Sequence, residues 1–235
     1  MRIDRRLRTR RLGLLVAMVT LSFVLVSALA SDQQKRHRKP VLLAHRGLVR
    51  HAPENTLPAF AAAIELGLAI ELDVYQTSDG HLIVIHDETV DRTTDGQGTI
   101  SEMTLSEVRQ LDAGSWFDPV YAGLKVPLLE EVFELVHQSR RYPTPIALNM
   151  KIVPTGMEVK IVRLIEKYDL FDQLFAFGQS TESSQRFKQA NARMRTTIVK
   201  IYDSQQFSKA LESTYSDCLW VGFVPSREEV NRAHG

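Results

Sequence analysis

The sequence predicts an α/β fold of the (β/α)8-barrel type, and three observations support this prediction. Short apolar runs that suit strands buried on both faces alternate with segments of helical spacing, which is the pattern of a parallel sheet covered by helices. Polar side chains suited to chemistry follow several of these runs, at the carboxyl ends of the strands, where barrels of this type place their sites. The strands number seven, so we expect a barrel that lacks its eighth strand.

The strands are predicted from short apolar runs bounded by turn residues. The first run is Val-Leu-Leu-Ala, and the second and third runs are separated by an Asp79-Gly80 turn. We expect strands at 41–44, 69–77, 82–85, 145–151, 174–177, 196–201 and 219–224.

The helices are predicted from apolar spacing and from end signals. The first is Ala-rich, with Asn55 or Thr56 as its N-cap and Gly67 at its end. Thr104 and Glu107 have the spacing of a capping box. We expect helices at 56–66, 104–111, 128–141, 157–168, 181–191, 204–213 and 227–234.

Charge is distributed unevenly along the 235 residues. The net charge of +1 combines +5 on residues 1–30, +3 on residues 31–40 and −7 on residues 41–235. We expect no nucleic-acid partner for this acidic body, and the sequence allows no protein partner to be inferred. The single cysteine, Cys218, excludes an intrachain disulfide and a metal site built from cysteines.

The first forty residues are predicted to determine localisation. Six arginines precede an uncharged run at 12–30, which ends in Ala-Leu-Ala before Ser31, a pattern that signal peptidase cuts. The run is also close to the ~20 residues that span a bilayer as a helix. Residues 1–30 are therefore a cleaved signal peptide or an N-terminal membrane anchor, 31–40 a basic linker and 41–235 the barrel domain. Either way we expect the body to be exported, as a periplasmic or extracellular protein or one held at the membrane through residues 12–30.

Glu71 and Asp73 are two apart on the predicted second strand, so their side chains lie on one face. Two carboxylates on a buried strand repel each other unless a cation lies between them. A divalent Ca²⁺ or Mg²⁺ ion suits their oxygens, and an ion pair with Arg46 or Lys151 is the alternative.

Other candidate site residues also follow predicted strands. His45 and Arg46 come after the first strand and His86 ends the third, whereas Asn149 and Lys151 share a face of the fourth. Their convergence on the carboxyl ends of consecutive strands predicts one site.

Eight short motifs follow one another along residues 41–131. They are His45-Arg46-Gly47, Pro53-Glu54-Asn55-Thr56, Glu71-x-Asp73, Asp79-Gly80, His86-Asp87, Asp91-Arg92-Thr93-Thr94, Leu111-Asp112-Ala113-Gly114 and Pro127-Leu128-Leu129-Glu130. In this order the motifs resemble the glycerophosphodiester phosphodiesterase family. The resemblance is dense over residues 41–131 and mainly topological over 145–235.

The resemblance implies a TIM barrel that hydrolyses a glycerophosphodiester, a small molecule, to an alcohol and glycerol 3-phosphate with one divalent cation, Ca²⁺ or Mg²⁺. It implies that His45 and His86 are the acid–base pair, that Arg46 and Lys151 contact the substrate phosphate, and that Glu71 and Asp73 are metal ligands. We interpret Glu54 and Asn55 as supporting and helix-capping residues. Residues 91–94 and 112–117 are interpreted as shaping a loop insertion after the third strand.

The sequence departs from the family at the fourth strand and at the end of the chain, where the family's last strand would follow Gly235. We therefore expect the barrel domain at 41–235 to be incomplete at its C-terminus. The family's Glu-x-Lys is replaced by Asn149-Met150-Lys151, so Asn149 stands where a third metal-binding carboxylate would. An amide oxygen can bind Ca²⁺ but brings no charge, which predicts weaker metal affinity. Two further functions therefore stay open: a catalytically impaired protein that binds phosphodiesters or lipid headgroups, and a phosphodiesterase of the lysophospholipase D type.

Overall fold

The computed structural model describes residues 41–139, 143–178, 180–197, 201–212 and 217–234. The predicted signal or anchor at 1–30 and the linker at 31–40 lie outside these ranges. In the described part of the chain, no helix has the length and apolarity needed to cross a bilayer.

Five strands form one sheet, and four of them run parallel. The parallel strands are adjacent in the order β1 (Leu43–His45), β2 (Ala69–Gln76), β4 (Ile146–Met150) and β5 (Leu174–Phe177). The predicted parallel α/β arrangement is therefore confirmed. The predicted strands at 196–201 and 219–224 are represented, within the described residues, by parallel bridges from Ala176 to Thr196 and from Ile201 to Val221.

The remaining strand, β3 (Leu82–Val84), is antiparallel to β2. Its register pairs Val84 with Val74 and Leu82 with Gln76. Only residues 77–81 connect the two strands, whereas a parallel crossover needs a dozen residues or more. Counting this strand among seven parallel barrel strands was therefore wrong, because β2 and β3 form a hairpin.

Helices cover one face of the sheet. The helices of the described residues are α1 (Leu57–Glu65), α2 (Leu105–Val108), α3 (Leu129–Gln138), α4 (Met157–Tyr168), α5 (Thr181–Ala190), α6 (Ser204–Leu211) and α7 (Arg227–His234). Helix α3 is amphipathic and buries Leu129, Val132, Phe133 and Val136. The capping box of α2 is confirmed, because Glu107 N donates to Thr104 Oγ1 and Thr104 N donates to the Glu107 carboxylate.

The described residues contain two apolar cores. The larger lies between the helices and the sheet face that carries Ile70, Leu72 and Val74, all of them buried. The smaller belongs to residues 86–126, which we call the insertion, together with Tyr75, Ile83 and Ile85. The two ends of the insertion meet, since Val84 N donates to Pro127 O over 2.8 Å.

Candidate active site

The centre of the candidate site is a pair of buried carboxylates on β2. Glu71 and Asp73 alternate with Ile70 and Leu72, so they lie on the sheet face opposite the larger core. Both side chains are fully buried. The parallel register places His45 beside Glu71, and Asn149 beside Asp73.

Asp73 is surrounded by donors from two segments, the end of β4 and the connection between β1 and α1. Its Oδ1 accepts from Asn149 Nδ2 at 2.8 Å and lies 3.1 Å from Lys151 Nζ. Its Oδ2 accepts from Asn55 Nδ2 at 2.9 Å and lies 3.7 Å from Arg46 Nε. The ion-pair alternative for this carboxylate is therefore present in the structure, from both predicted cations.

Glu71 has fewer donors. Arg46 N donates to its Oε2 over 3.0 Å, and Asn149 Nδ2 lies 3.3 Å from its Oε1. His45 Nε2 is 3.9 Å from Oε2. Burial, reinforced by the neighbouring Asp73 charge, raises the pKa of Glu71 above its usual range.

The two histidines reach this centre by different routes. His45 ends β1, whereas His86 follows the hairpin strand β3, whose continuation is held against β2 by a bond from Ile85 N to Asp73 O. Partial burial, followed by the charges of Arg46 and His86, lowers the pKa of His45. The effect of the His86 charge on the pKa of His45 indicates that the two imidazoles lie near each other.

The side chain of His86 is oriented by its neighbour in sequence. His86 Nδ1 lies 2.6 Å from Asp87 Oδ1, and the side chain is 27% exposed. A hydrogen bond from Arg92 to Asp87 contributes most to lowering the pKa of Asp87 to about 2, so this carboxylate is ionised at neutral pH. An ionised carboxylate only accepts hydrogen bonds, so His86 Nδ1 carries the proton in this contact.

Asn55, Glu54 and Arg92 are site residues whose contacts the sequence did not predict. Asn55 was expected to support the site or to cap α1, and its side chain does the former by binding Asp73. Thr56 occupies the cap position without a side-chain capping bond and donates instead to Pro53 O. Arg92 bonds both Asp87 and Glu54, although its motif had been interpreted as shaping the insertion. Their position in named motifs marks these residues as candidates, but the sequence gives no signal for the groups that they contact.

The residues present fit a divalent cation, with one ligand weaker than the other two. Among the described residues, no group of three or more His, Cys, Asp or Glu side chains is placed to hold a metal ion. The head groups of Glu71, Asp73 and Asn149 nevertheless converge within 3.3 Å of the Asn149 amide nitrogen. A half-turn of that amide would exchange its nitrogen for its oxygen and present three oxygens together. The set thus comprises two carboxylates and one neutral ligand.

The fold and the site define an α/β-barrel-type protein with histidines, an arginine and two carboxylates grouped at strand ends. The chain belongs to the glycerophosphoryl diester phosphodiesterase family, whose family model matches residues 45–216. This finding confirms the family resemblance of the sequence motifs.

Two curated relatives show how far the similarity extends. A glycerophosphodiester phosphodiesterase of Caldanaerobacter subterraneus is 46% identical over 138 residues, covering 58% of this chain and 56% of the relative. One of Bacillus subtilis is 33% identical over 250 aligned positions, covering 95% of this chain and 82% of the relative. The first match thus spans only about half of that relative's length.

A solved structure supports the TIM-barrel type of fold. The crystal structure of a glycerophosphodiester phosphodiesterase from Agrobacterium tumefaciens superposes with a TM-score of 0.63 at 28% identity. The superposition covers 83% of this chain and 91% of that one.

Proposed function

We propose that this protein hydrolyses glycerophosphodiesters to an alcohol and glycerol 3-phosphate. The observation that carries the proposal is the grouping of His45 and His86 around the buried pair Glu71 and Asp73, with Arg46 beside them. The names of the relatives supply the substrate class, since both are called glycerophosphodiester phosphodiesterases.

The histidines supply acid–base catalysis in this proposal. One imidazole takes the proton from the attacking oxygen as that oxygen bonds to phosphorus, and the other gives a proton to the departing alkoxide as its bond to phosphorus breaks. Attack by water gives glycerol 3-phosphate directly. Attack by the neighbouring glycerol hydroxyl gives a cyclic phosphodiester, which water then opens to glycerol 3-phosphate in a second step. Imidazole side chains commonly serve as the acid and the base in steps of this kind. Because Asp87 holds the Nδ1 proton of His86, the Nε2 atom is the one available for transfer.

Arg46 and Lys151 supply positive charge for the phosphate. Their side chains are 20% and 23% exposed, so each is partly accessible while it neutralises Asp73. Glu71, Asp73 and Asn149 would hold one Ca²⁺ or Mg²⁺ ion, which when bound supplies further positive charge near the phosphoryl oxygens. The acidic body does not attract an anionic substrate over long range, so recognition depends on these local charges.

The proposal is tested by measuring hydrolysis of glycerophosphocholine with and without a metal chelator. His45→Ala and His86→Ala should each lower kcat by roughly 10²- to 10⁴-fold, the usual contribution of a positioned acid or base. His137→Ala is the matched control, because His137 lies in the last turn of α3 and contacts Tyr168 O. Full activity in both site variants would refute the two-histidine assignment, and activity unaffected by the chelator would refute the metal requirement.

A second function, binding without efficient hydrolysis, is favoured by Asn149. In the structure its amide donates to both carboxylates, and Lys151 pairs with Asp73, so protein groups already neutralise part of the charge. Asn149→Glu should raise both metal affinity and activity, measured by calorimetric Ca²⁺ titration and by the same assay. Asn149→Gln is the control for length without charge. Equal metal titrations in wild type and Asn149→Glu would contradict the assignment of position 149 as a ligand.

We also propose that the body is exported and that residues 12–30 supply membrane association if they are retained. The six arginines before an uncharged run support this proposal. Expression of the full chain in a bacterium, followed by fractionation and intact-mass measurement, distinguishes cleavage after Ala30 from retention as an anchor. Recovery of the uncleaved chain from the cytoplasmic fraction would refute the proposal.

A further inference from the structure

Arg92 joins two loops that carry different parts of the candidate site. Its Nε donates to Asp87 Oδ2 over 2.6 Å, while Nη1 and Nη2 donate to the two oxygens of Glu54 over 3.0 and 2.8 Å. Glu54 lies 38 residues earlier in the chain, in the segment between β1 and α1. A planar guanidinium can hold two carboxylates in this way, whereas a lysine ammonium cannot reproduce the fork.

On one side, the contacts of Arg92 continue to His86. Asp87 accepts from Arg92 through Oδ2 and contacts His86 Nδ1 through Oδ1. The Arg92 guanidinium therefore orients the Asp87 carboxylate, which in turn orients the His86 imidazole. Without Arg92, the Asp87 side chain would be free to rotate, and the tautomer of His86 would no longer be determined by this contact.

On the other side, the contacts continue to Arg46. Glu54 Oε1 accepts from Arg46 Nη1 over 3.1 Å, and Arg46 Nε lies 3.7 Å from Asp73 Oδ2. Burial opposes ionisation of Glu54, but the hydrogen bonds and charges of both arginines lower its pKa overall. The side chain of Glu54 is only 14% exposed and accepts hydrogen bonds from both arginines, so it holds the two guanidinium groups in place.

We propose that Arg92 is a positioning residue that holds His86, through Asp87, and Arg46, through Glu54, in one fixed arrangement. This inference rests on the proposed function for its kinetic consequences, although the arrangement itself can be tested without turnover. Exposed ion pairs usually contribute little to stability. The ion pairs of Arg92 matter for function instead, because they connect the proposed acid–base residue His86 to the proposed phosphate-binding residue Arg46.

The kinetic test compares wild type with Arg92→Met and Arg92→Lys on glycerophosphocholine. We expect kcat of Arg92→Met to fall roughly 10- to 100-fold, as is usual for residues that orient functional ligands. Arg92→Lys should recover only part of this loss. Millimolar guanidinium should restore activity to Arg92→Met, since the side chain it replaces is 45% exposed and accessible from solvent.

Arg109→Met is the matched control. Arg109 also forms a two-bond pair with a carboxylate, that of Glu131, and its side chain is 34% exposed. Arg109 belongs to the insertion. Within the described part of the chain, its hydrogen bonds involve neither His86 nor Arg46. We expect Arg109→Met to lower the thermal midpoint, to keep wild-type kcat and to show no response to guanidinium.

A spectroscopic test measures the tautomer of His86 from its ¹⁵N chemical shifts at neutral pH, with the signal assigned using His86→Asn. Wild type should show the Nδ1-protonated form, and Arg92→Met a mixture of tautomers. Absence of hydrolysis by wild type would refute the proposed function, while the tautomer comparison would still decide the inference. An unchanged His86 tautomer in Arg92→Met would overturn the inference, as would wild-type kcat in that variant.

Discussion

Gly47 is a position where one added methyl group should damage both the stability of the fold and the candidate site. It follows His45 and Arg46 in the turn after β1, with φ of +85°. A Cβ built there would lie 2.8 Å from Ala59 Cβ and 2.9 Å from the Ala59 carbonyl carbon, inside helix α1. Leu48 N also donates to Ala59 O over 3.0 Å, so the turn and the helix are bonded at this point. Gly47→Ala must therefore push the turn away from α1.

The expected cost has two parts. A left-handed conformation costs an L-residue about 1–2 kcal/mol, and forcing a methyl group into a packed contact costs about 1–3 kcal/mol. The free energy of unfolding should thus fall by about 2–5 kcal/mol. For a domain of this size, the loss corresponds to a thermal midpoint about 4–20 °C lower. Because Arg46 N donates to Glu71, displacement of the turn should also lower activity.

The assay is urea unfolding of wild type, Gly47→Ala and Gly67→Ala. Gly67 has φ of +69°, and a Cβ there meets nothing within 4 Å, so its substitution isolates the conformational cost. We expect Gly67→Ala to lose about 1–2 kcal/mol and to keep wild-type activity. If Gly47→Ala proves no less stable than Gly67→Ala, the packing argument is refuted.

Three further variants test other parts of the structure. Arg186→Met should destabilise the protein by about 3 kcal/mol in urea, because it removes the cation paired with the buried Glu158 carboxylate; a loss below 1 kcal/mol would contradict this. Asp112→Ala should lower the free energy of unfolding by about 2–4 kcal/mol, because the Asp112 carboxylate accepts hydrogen bonds from Gly123 N and from backbone and hydroxyl groups at 114–115. A urea midpoint equal to that of wild type would argue against this prediction. The pKa of Asp87 is lowered to about 2 in the folded protein. Ionised Asp87 therefore stabilises the fold fully above its pKa in the unfolded chain, about 4, and this contribution is lost as the pH falls toward 2. Between pH 5 and 3, the urea midpoint of Asp87→Asn should thus decrease less than that of wild type.

The sequence predicted most of the site because its polar residues stand at fixed places relative to apolar runs. Glu71 and Asp73 share a strand face with period two, and His45 and Asn149 lie at the ends of strands that the parallel register aligns with them. The parallel sheet and the positions of most helices follow from the same periodicities. These properties depend on near neighbours in the chain, which a single sequence displays.

Three features were not predicted, for two different physical reasons. The antiparallel direction of β3 could have been inferred from the five-residue connection, which is too short for a crossover. The pairing of Arg92 with Asp87 and Glu54 could not have been inferred from the sequence, because it depends on a tertiary contact between two loops that are 38 residues apart. Asn55 is similar, since its bond to Asp73 exists only after α1 has packed on the sheet.

The insertion is closed at its base, where Val84 N donates to Pro127 O, and its apolar side chains pack against Tyr75, Ile83 and Ile85. Because loop-closure entropy rises only slowly with loop length, a segment whose ends are held together tolerates changes of length. The insertion also contains His86, Asp87 and Arg92, and Arg92 pairs with Glu54 outside it. A segment grafted in its place must therefore keep these three residues and the apolar contacts to the hairpin for the candidate site to remain assembled.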